Sequence, residues 1–158
     1  MGELLEYGID GRMTKVMQIG GVNGDENKKA KIKDLDVVIK MKMEIFIEVG
    51  SISLLQDNAE KKIYEKYKEL YQDGKGCHYL ICENDTVIAC GGAVIKEDVP
   101  FCFFKTPMYG YIIDVYCVPE KRRSGYASKI MEELIKWLQN KGGTQYKTKA
   151  IISRTTFI

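Results

Sequence analysis

The spacing of apolar side chains predicts three amphipathic helices between residues 30 and 142. In each of them apolar residues recur every three or four positions, which places them on one helix face. The predicted helices cover residues 35–49, residues 55–71 and the segment between Gly125 and Gly142. Asp34 stands where a capping residue would begin the first helix, and Gly50 would end it.

Runs of β-branched and aromatic residues between these helices predict strands. The predicted strands cover residues 29–32, 77–82, 87–95, 109–118 and 146–152. Asn84 and Asp85 separate two of these runs and predict the turn of a hairpin. Gly91 and Gly92 fall inside a strand, which predicts a bulge or the close approach of another group to the backbone.

The first 28 residues follow a different pattern. A short helix ending at Gly8 is predicted, followed by a strand over Met13–Ile19. Residues 20–28 contain Gly and Asn and are typical of a flexible linker. A linker so near the start of the chain implies that a structured segment precedes it. We therefore treat residues 1–158 as one domain.

Composition narrows the class of protein. A chain of 158 residues can bury a core as one domain, and a net charge of +2 is too small to indicate nucleic-acid binding. No apolar stretch is long enough to span a bilayer, which argues against a membrane protein. The N-terminus is acidic and does not resemble a signal peptide, so a cytoplasmic location is expected.

The cysteines do not predict a metal site. There are five of them, at positions 77, 82, 90, 102 and 117, and no two are separated by only two residues. With a single histidine, His78, a zinc site of the usual ligand spacing is hard to build, so we expect no metal. Buried reduced thiols are the simpler interpretation, and a lone histidine in a strand is more often structural.

The turn between the strand at 109–118 and the following helix is the segment most typical of a binding site. Its basic residues are Lys121, Arg122 and Arg123. Ser124 can cap the helix, and Gly125 lets the backbone pass close to a ligand. With the first amides of the helix, they form an anion site suited to a pyrophosphate. The spacing fits neither a P-loop nor the dinucleotide fingerprint. A capped helix with solvated arginines is the alternative.

Two adjoining segments resemble the GNAT superfamily of N-acetyltransferases. Arg122-x-x-Gly125-x-Ala127 is similar to the acetyl-CoA motif of that superfamily, Gln/Arg-x-x-Gly-x-Gly/Ala. Tyr111–Glu120 resembles its fourth strand, which runs into a Val-x-Pro-Glu-x-Arg sequence. The resemblance implies an α+β fold, the GNAT acyl-CoA N-acyltransferase fold, with a mixed, mostly antiparallel sheet flanked by helices.

The resemblance also implies how a cofactor would bind. Acetyl-CoA would be the co-substrate, and its acetyl group would pass by direct attack to a primary amine of a small molecule or peptide. Backbone groups would hold the pantetheine and the pyrophosphate, and an N–H near a strand bulge would stabilise the oxyanion. The implied cofactor-binding residues are Tyr116, Cys117, Val118, Arg122, Arg123, Ser124, Gly125, Tyr126, Ala127 and Ser128. Cys117 would not be a nucleophile.

The catalytic groups are expected at two positions. Asp114, on the predicted fourth strand, could act as a general base, and its alternative is a structural role. Members of the superfamily often continue with a helix bearing Leu-Tyr-Glu-x-x-Gly-Phe, whose tyrosine protonates the departing thiolate. No such segment follows Ile152, whereas Gly2–Ile9 loosely resembles it. Residues 1–19 would then complete the domain in permuted order, with Tyr7 as the candidate acid.

Two other functions fit parts of the sequence. A non-catalytic acyl-CoA-binding relative, or a truncated domain, would keep the pyrophosphate turn but lack the acid. A nucleotide- or nucleic-acid-binding module would use the same basic residues, although no aromatic stacking platform accompanies them. We therefore expect an amine acceptor, no nucleic acid and no membrane partner, and homodimer formation stays open.

Overall fold

The computed structural model describes residues 26–97, 99 and 107–142 and the backbone of 146–148. Its main elements are β1 (Glu26–Lys29), α1 (Leu35–Glu48), α2 (Ala59–Gln72), β2 (Gly76–Glu83), β3 (Thr86–Glu97), β4 (Met108–Cys117), α3 (Tyr126–Asn140) and β5 (Tyr146–Thr148). The predicted Tyr7, the predicted permuted segment 1–19 and Cys102 lie outside these residues. No helix within the described ranges is long and apolar enough to cross a membrane.

The strands form one sheet in the order β1-β2-β3-β4-β5. Neighbouring strands are antiparallel except for β4 and β5, which are parallel and joined through α3. The described β4–β5 pairs extend from Gly110–Tyr146 to Ile112–Thr148. This arrangement confirms the predicted α+β fold with a mixed, mostly antiparallel sheet.

Helices cover the two faces of the sheet and divide the core into two layers. On one face Ile130, Leu134 and Leu138 of α3 are buried against β2, β3 and β4. On the other face Leu35 and Val38 of α1 are fully buried. The apolar stripes predicted for α1 and α3 therefore face the sheet, as amphipathic helices require.

The side-chain pattern predicted the hairpin turn correctly but misplaced the edge strand of the sheet. Asn84 and Asp85 both have positive φ, as the predicted two-residue turn requires. The edge strand was predicted at 29–32 but lies at Glu26–Lys29, so residues 26–28 belong to a strand and not to a linker. These residues are polar, and only their backbone pairing with β2 makes them a strand. Hydrophobic alternation cannot detect such a segment.

Helix α2 begins at Ala59, later than the predicted residue 55. Leu55 is in the extended conformation, and Asn58 at the helix N-cap is left-handed with φ +58°. Asparagine tolerates this conformation better than most residues, so the chain turns here before the helix begins.

Candidate functional site

Strand β4 contains a bulge beside the two glycines of β3. Gly92 pairs with Ile113, and Cys90 pairs with Tyr116. Gly91 alone therefore opposes two residues, Asp114 and Val115, which is the definition of a β-bulge. The prediction of an irregularity at Gly91–Gly92 is confirmed.

The extra residue changes which way Asp114 points. Ile112 packs in the layer below α3, whereas Ile113 packs against the layer of α1 and α2. Strict alternation would send Asp114 back into the apolar layer below α3. The bulge instead turns its carboxylate toward α1 and α2. Asp114 has φ +56°, a conformation that costs most side chains about 1–2 kcal/mol and that aspartate tolerates better than most.

Three donors from three different elements surround this carboxylate. Lys42 of α1 lies 2.5 Å from Oδ1, and the hydroxyl of Tyr67 of α2 donates to Oδ2. His78 of β2 places Nε2 2.9 Å from Oδ2. The side chain of Asp114 is only 4% exposed, so its charge is both buried and paired. We call Lys42, Tyr67, His78 and Asp114 the bulge network.

The surroundings shift the pKa values within the bulge network. Burial alone would raise the pKa of Asp114, but the hydrogen bond and charge of His78 and the charge of Lys42 outweigh burial and lower it to about 2. Burial, the charge of Asp114 and their hydrogen bond raise the pKa of Tyr67. At neutral pH Asp114 is therefore an ionised acceptor and Tyr67 a donor. Because an ionised carboxylate only accepts, Nε2 of His78 is the donor in their contact.

His78 is fixed from three sides. It is 1% exposed, and its Nδ1 lies 2.8 Å from the hydroxyl of Tyr71. Its partner across the sheet is Gly92, where an added Cβ would lie 2.5 Å from Nε2. Only glycine leaves room for the imidazole at that position. A structural role for the single histidine, as the sequence suggested, agrees with these contacts.

The basic turn after β4 leads into an exposed helix start. Arg123 and Gly125 have φ of +64° and +83°, and α3 begins at the next residue, with the amide of Lys129 bonded to the Gly125 carbonyl at 3.1 Å. The amides of Ala127 and Ser128 have no carbonyl four residues earlier within the helix. A Cβ added to Gly125 would meet nothing within 4 Å. This open, positively polarised surface suits an anion.

Two predicted details of this turn differ in the structure. Ser124 makes no capping hydrogen bond, because Gly125 takes the N-cap position instead. Arg122 folds back from the helix start: its Nε donates to the Cys117 carbonyl at 2.9 Å, and its guanidinium lies 2.5 Å from Glu48. Glu48, at the end of α1, was not predicted, because 74 residues separate it from Arg122.

The remaining predicted cofactor-binding residues lie at the same end of β4. Tyr116 is buried toward α1, with its ring 5.5 Å from the Arg122 guanidinium carbon. Cys117 and Val118 follow it, and Tyr126 is buried beneath α3. Burial raises the pKa of Cys117 to about 11, which makes its thiolate scarce. The four described cysteines are free thiols, two buried and two partly buried.

Comparison with known proteins identifies this combination of fold and turn. A sequence model of the acetyltransferase (GNAT) family matches residues 44–151, more than half of the chain. The chain belongs to the GNAT acetyltransferase family. No curated protein sequence matches it significantly.

Solved structures show the same GNAT fold at low sequence identity. A predicted acetyltransferase from Clostridium acetobutylicum, solved with acetyl-CoA, is 20% identical, covers 80% of each chain and gives a TM-score of 0.71. A GCN5-related N-acetyltransferase from Ralstonia eutropha is 21% identical over 80% of this chain and 84% of its own, with a TM-score of 0.71. An aminoglycoside 6'-N-acetyltransferase from Acinetobacter haemolyticus is 18% identical over 82% and 81%, with a TM-score of 0.62.

Proposed function

We propose that this chain is an N-acetyltransferase that moves the acetyl group of acetyl-CoA to a primary amine of a small molecule or peptide. The observation that carries the proposal is the open, basic start of α3 directly after β4, in a chain whose family is that of the GNAT acetyltransferases. Acetyl-CoA is the proposed co-substrate, as it is the molecule bound in the Clostridium structure.

The residues present fit the diphosphate of acetyl-CoA. The amides of Ala127 and Ser128 would donate to its oxygens at the positive end of the α3 dipole. Arg123 adds positive charge to the turn, whereas Lys121 is paired with Glu83 at 2.8 Å. Arg122 would act differently, by joining the turn to the Cys117 carbonyl and to Glu48. The turn would keep its shape because its first arginine is already engaged.

The pantetheine would lie along β4 past its described pairing with β5. That pairing covers residues 110–112, and Tyr116, Cys117 and Val118 lie farther along the strand. Their backbone groups are the proposed partners of the pantetheine amides, apart from the Val118 N–H, which already donates to the Ile88 carbonyl at 2.9 Å. The thioester would then lie beside the bulge, between the anion site and the β4–β5 pairs.

The proposed reaction is a direct transfer. The acceptor nitrogen attacks the thioester carbonyl, the carbon–sulfur bond breaks, the nitrogen loses a proton and coenzyme A leaves as the thiol. No acyl-enzyme is needed, in keeping with the raised pKa of Cys117. The sequence offers Asp114 and Tyr7 as candidate base and acid, but donors from Lys42 and Tyr67 already occupy the Asp114 carboxylate.

A small-molecule amine is the acceptor class with the more direct support. The Acinetobacter relative is an aminoglycoside N-acetyltransferase. In this chain a cavity of about 670 Å³ lies between α1 and the sheet, and Met41, Glu44 and Tyr116 are among its lining residues. It has room for a small amine, and Glu44 gives it a carboxylate to attract one.

The first experiment measures acetyl-CoA binding by calorimetry and free coenzyme A release with a panel of amines and peptides. We expect binding of acetyl-CoA but not of ATP or an oligonucleotide, with release in the presence of at least one amine. Binding without release would support the non-catalytic acyl-CoA-binding alternative. Binding of ATP or the oligonucleotide in place of acetyl-CoA would favour the nucleotide-binding alternative.

A matched pair of variants tests where the diphosphate binds. Ala127→Glu adds a negative charge at the start of α3, and Asn140→Glu adds the same charge at its exposed end. The helix dipole favours the first change and disfavours the second, and because Ala127 is half-buried, a melting curve of each variant checks that it folds. We expect Ala127→Glu to lower acetyl-CoA affinity at least about 100-fold and Asn140→Glu to leave it unchanged. Equal affinities would contradict the proposed site.

A further inference from the structure

The bulge network connects Asp114 to parts of the chain that are far apart in sequence. We infer that Asp114 is a positioning residue: Lys42, Tyr67 and His78 hold its side chain so that the Val115 N–H is aimed away from β3, toward the acyl site. This inference rests on the proposed function, which places the thioester beside the bulge. It assigns to Asp114 a role other than that of the base.

The peptide between Asp114 and Val115 has a defined direction. The Cys90 thiol of β3 donates to the Asp114 carbonyl at 3.3 Å, and burial keeps that thiol protonated by raising its pKa. In a trans peptide the C=O and the following N–H point in opposite directions. No described peptide bond is cis. The Val115 N–H therefore points away from Cys90 and is the donor that an oxyanion beside the bulge would meet.

The side chain of Asp114 fixes the other end of this peptide. Its positive φ puts the carboxylate on the side of α1 and α2, where three donors hold it. With the side chain bound on one side and the carbonyl bound to Cys90, the peptide at 114–115 has little freedom to rotate. A donor fixed before the reaction needs no reorganisation in the transition state.

The same contacts argue against proton transfer to Asp114. Both carboxylate oxygens already accept hydrogen bonds, and the ammonium of Lys42 occupies Oδ1. An acceptor amine would have to displace Lys42 to reach that oxygen. Protonation would also remove the negative charge that pairs with Lys42 in a site where the carboxylate is almost fully buried.

A series of three substitutions at Asp114 separates the two roles. Asparagine tolerates positive φ and keeps a hydrogen-bonding oxygen, glycine keeps only the conformation, and alanine keeps neither. For a positioning residue, we expect kcat to fall about 3-fold in Asp114→Asn, about 10-fold in Asp114→Gly and about 100-fold in Asp114→Ala. KM for acetyl-CoA should change less than about 3-fold, since the diphosphate contacts are elsewhere.

The pH profile of kcat distinguishes a positioning residue from a general base. Loss of a general base lowers kcat by a similar factor, about 100-fold to 10,000-fold, in all three variants and removes the acidic limb of the profile. That result would overturn the inference while leaving the proposed acetyl transfer intact. Graded losses with the acidic limb retained in Asp114→Asn would support it. Melting temperatures of each variant identify any that fail to fold, and Asp114→Asn is then the deciding variant.

The Cys90 contact offers a second test outside the carboxylate. Cys90→Ser keeps a donor to the Asp114 carbonyl, whereas Cys90→Ala removes it. We expect kcat to fall several-fold in Cys90→Ala and to be restored in Cys90→Ser. If no amine is turned over by the wild type, the proposed function is what fails. The inference is then tested by crystal structures of the two variants: the 114–115 peptide should keep its direction in Asp114→Asn and turn in Asp114→Ala, and the same direction in both would overturn it.

Discussion

The bulge network surrounds Asp114 of β4, the basic turn follows that strand, and the two are built in opposite ways. The turn consists of consecutive residues, 119 to 128. What it offers a ligand is mainly the backbone N–H groups at the start of α3. The bulge network brings together side chains from α1, α2, β2 and β4. One site depends on local conformation and the other on the correct packing of the whole domain.

This difference affects how each site responds to change. A local turn can lose its ligand without loss of the fold, because few other residues rely on it. A buried charge network cannot lose one member without leaving another unpaired, and an unpaired buried charge is costly. We therefore expect substitutions in the bulge network to lower stability as well as kcat, and those in the turn to act on acetyl-CoA affinity.

The largest effect is expected from Gly92→Ala, where the added Cβ meets the His78 ring. That ring is held by hydrogen bonds at both nitrogens and cannot move without breaking the network, so we expect a loss of about 3–4 kcal/mol in the free energy of unfolding. Gly110→Ala is the matched control, since its Cβ meets the buried side chain of Leu138, at 2.7 Å from both methyl carbons, and no member of the bulge network. We expect about 1–2 kcal/mol there by urea denaturation. Equal losses in Gly92→Ala and Gly110→Ala would show that disturbing the bulge network costs no more than disturbing apolar packing.

The next effect is the acid dependence of stability. The folded pKa of Asp114, about 2, lies below the unfolded value of about 4. A lowered folded pKa stabilises the fold above the unfolded pKa, and this contribution is lost as the pH falls from about 4 through 2. It amounts to about 2–3 kcal/mol, and Asp114→Asn should give a flatter stability curve over that range. Parallel curves for the two proteins would mean that Asp114 is not ionised in the network.

A smaller effect is expected at the turn. Gly125 and Gly142 flank α3 with φ of +83° and +78°, and a Cβ on either would meet no other atom within 4 Å. Alanine should therefore strain both positions equally, by about 1 kcal/mol. Only Gly125→Ala should weaken acetyl-CoA binding, by about tenfold, which is about 1.4 kcal/mol. Calorimetric titration of both variants checks this. Equal affinities for acetyl-CoA would show that the N-cap of α3 is not part of the binding site.

The smallest effect is expected from Glu48→Gln. It removes the ion pair with Arg122 but leaves the hydrogen bond of Arg122 to the Cys117 carbonyl. Because the pair is partly exposed, we expect less than about 1 kcal/mol, seen as a twofold to fivefold weaker affinity for acetyl-CoA. Glu133→Gln, which breaks the exposed pair with Lys136, is the control and should have no effect. A larger loss of acetyl-CoA affinity in Glu48→Gln would show that Arg122 does more than hold the turn in place.

The sequence predicted the local features of this protein better than the distant ones. The helix after Gly125, the turn at Asn84–Asp85 and the irregularity at Gly91–Gly92 could be identified, because each depends on neighbouring residues. Asp114 was recognised as a residue of interest on β4. Its contacts with Lys42 and Tyr67 could not be predicted, since they arise only when both helices pack on the sheet.

Errors at the edges of elements have similarly physical origins. The polar strand β1 is defined by hydrogen bonds to β2, and no side-chain pattern reveals it. Ser124 was expected to cap α3, yet Gly125 takes that position because it adopts the required left-handed turn at no steric cost. Where a prediction relied on side-chain type alone, backbone geometry decided the outcome.

The additional residue in β4 also shifts the alternation between the two sheet faces for the side chains that follow it on that strand. Tyr116 lies in the layer of α1 and Cys117 in that of α3 because the alternation has been shifted by one position. Deleting Val115 would restore strict alternation: Tyr116 and Cys117 would keep their layers, but the Asp114 carboxylate would turn under α3, away from Lys42, Tyr67 and His78. The length of this strand is therefore a stricter requirement than the identity of most of its side chains, and replacements should be tolerated where deletions are not.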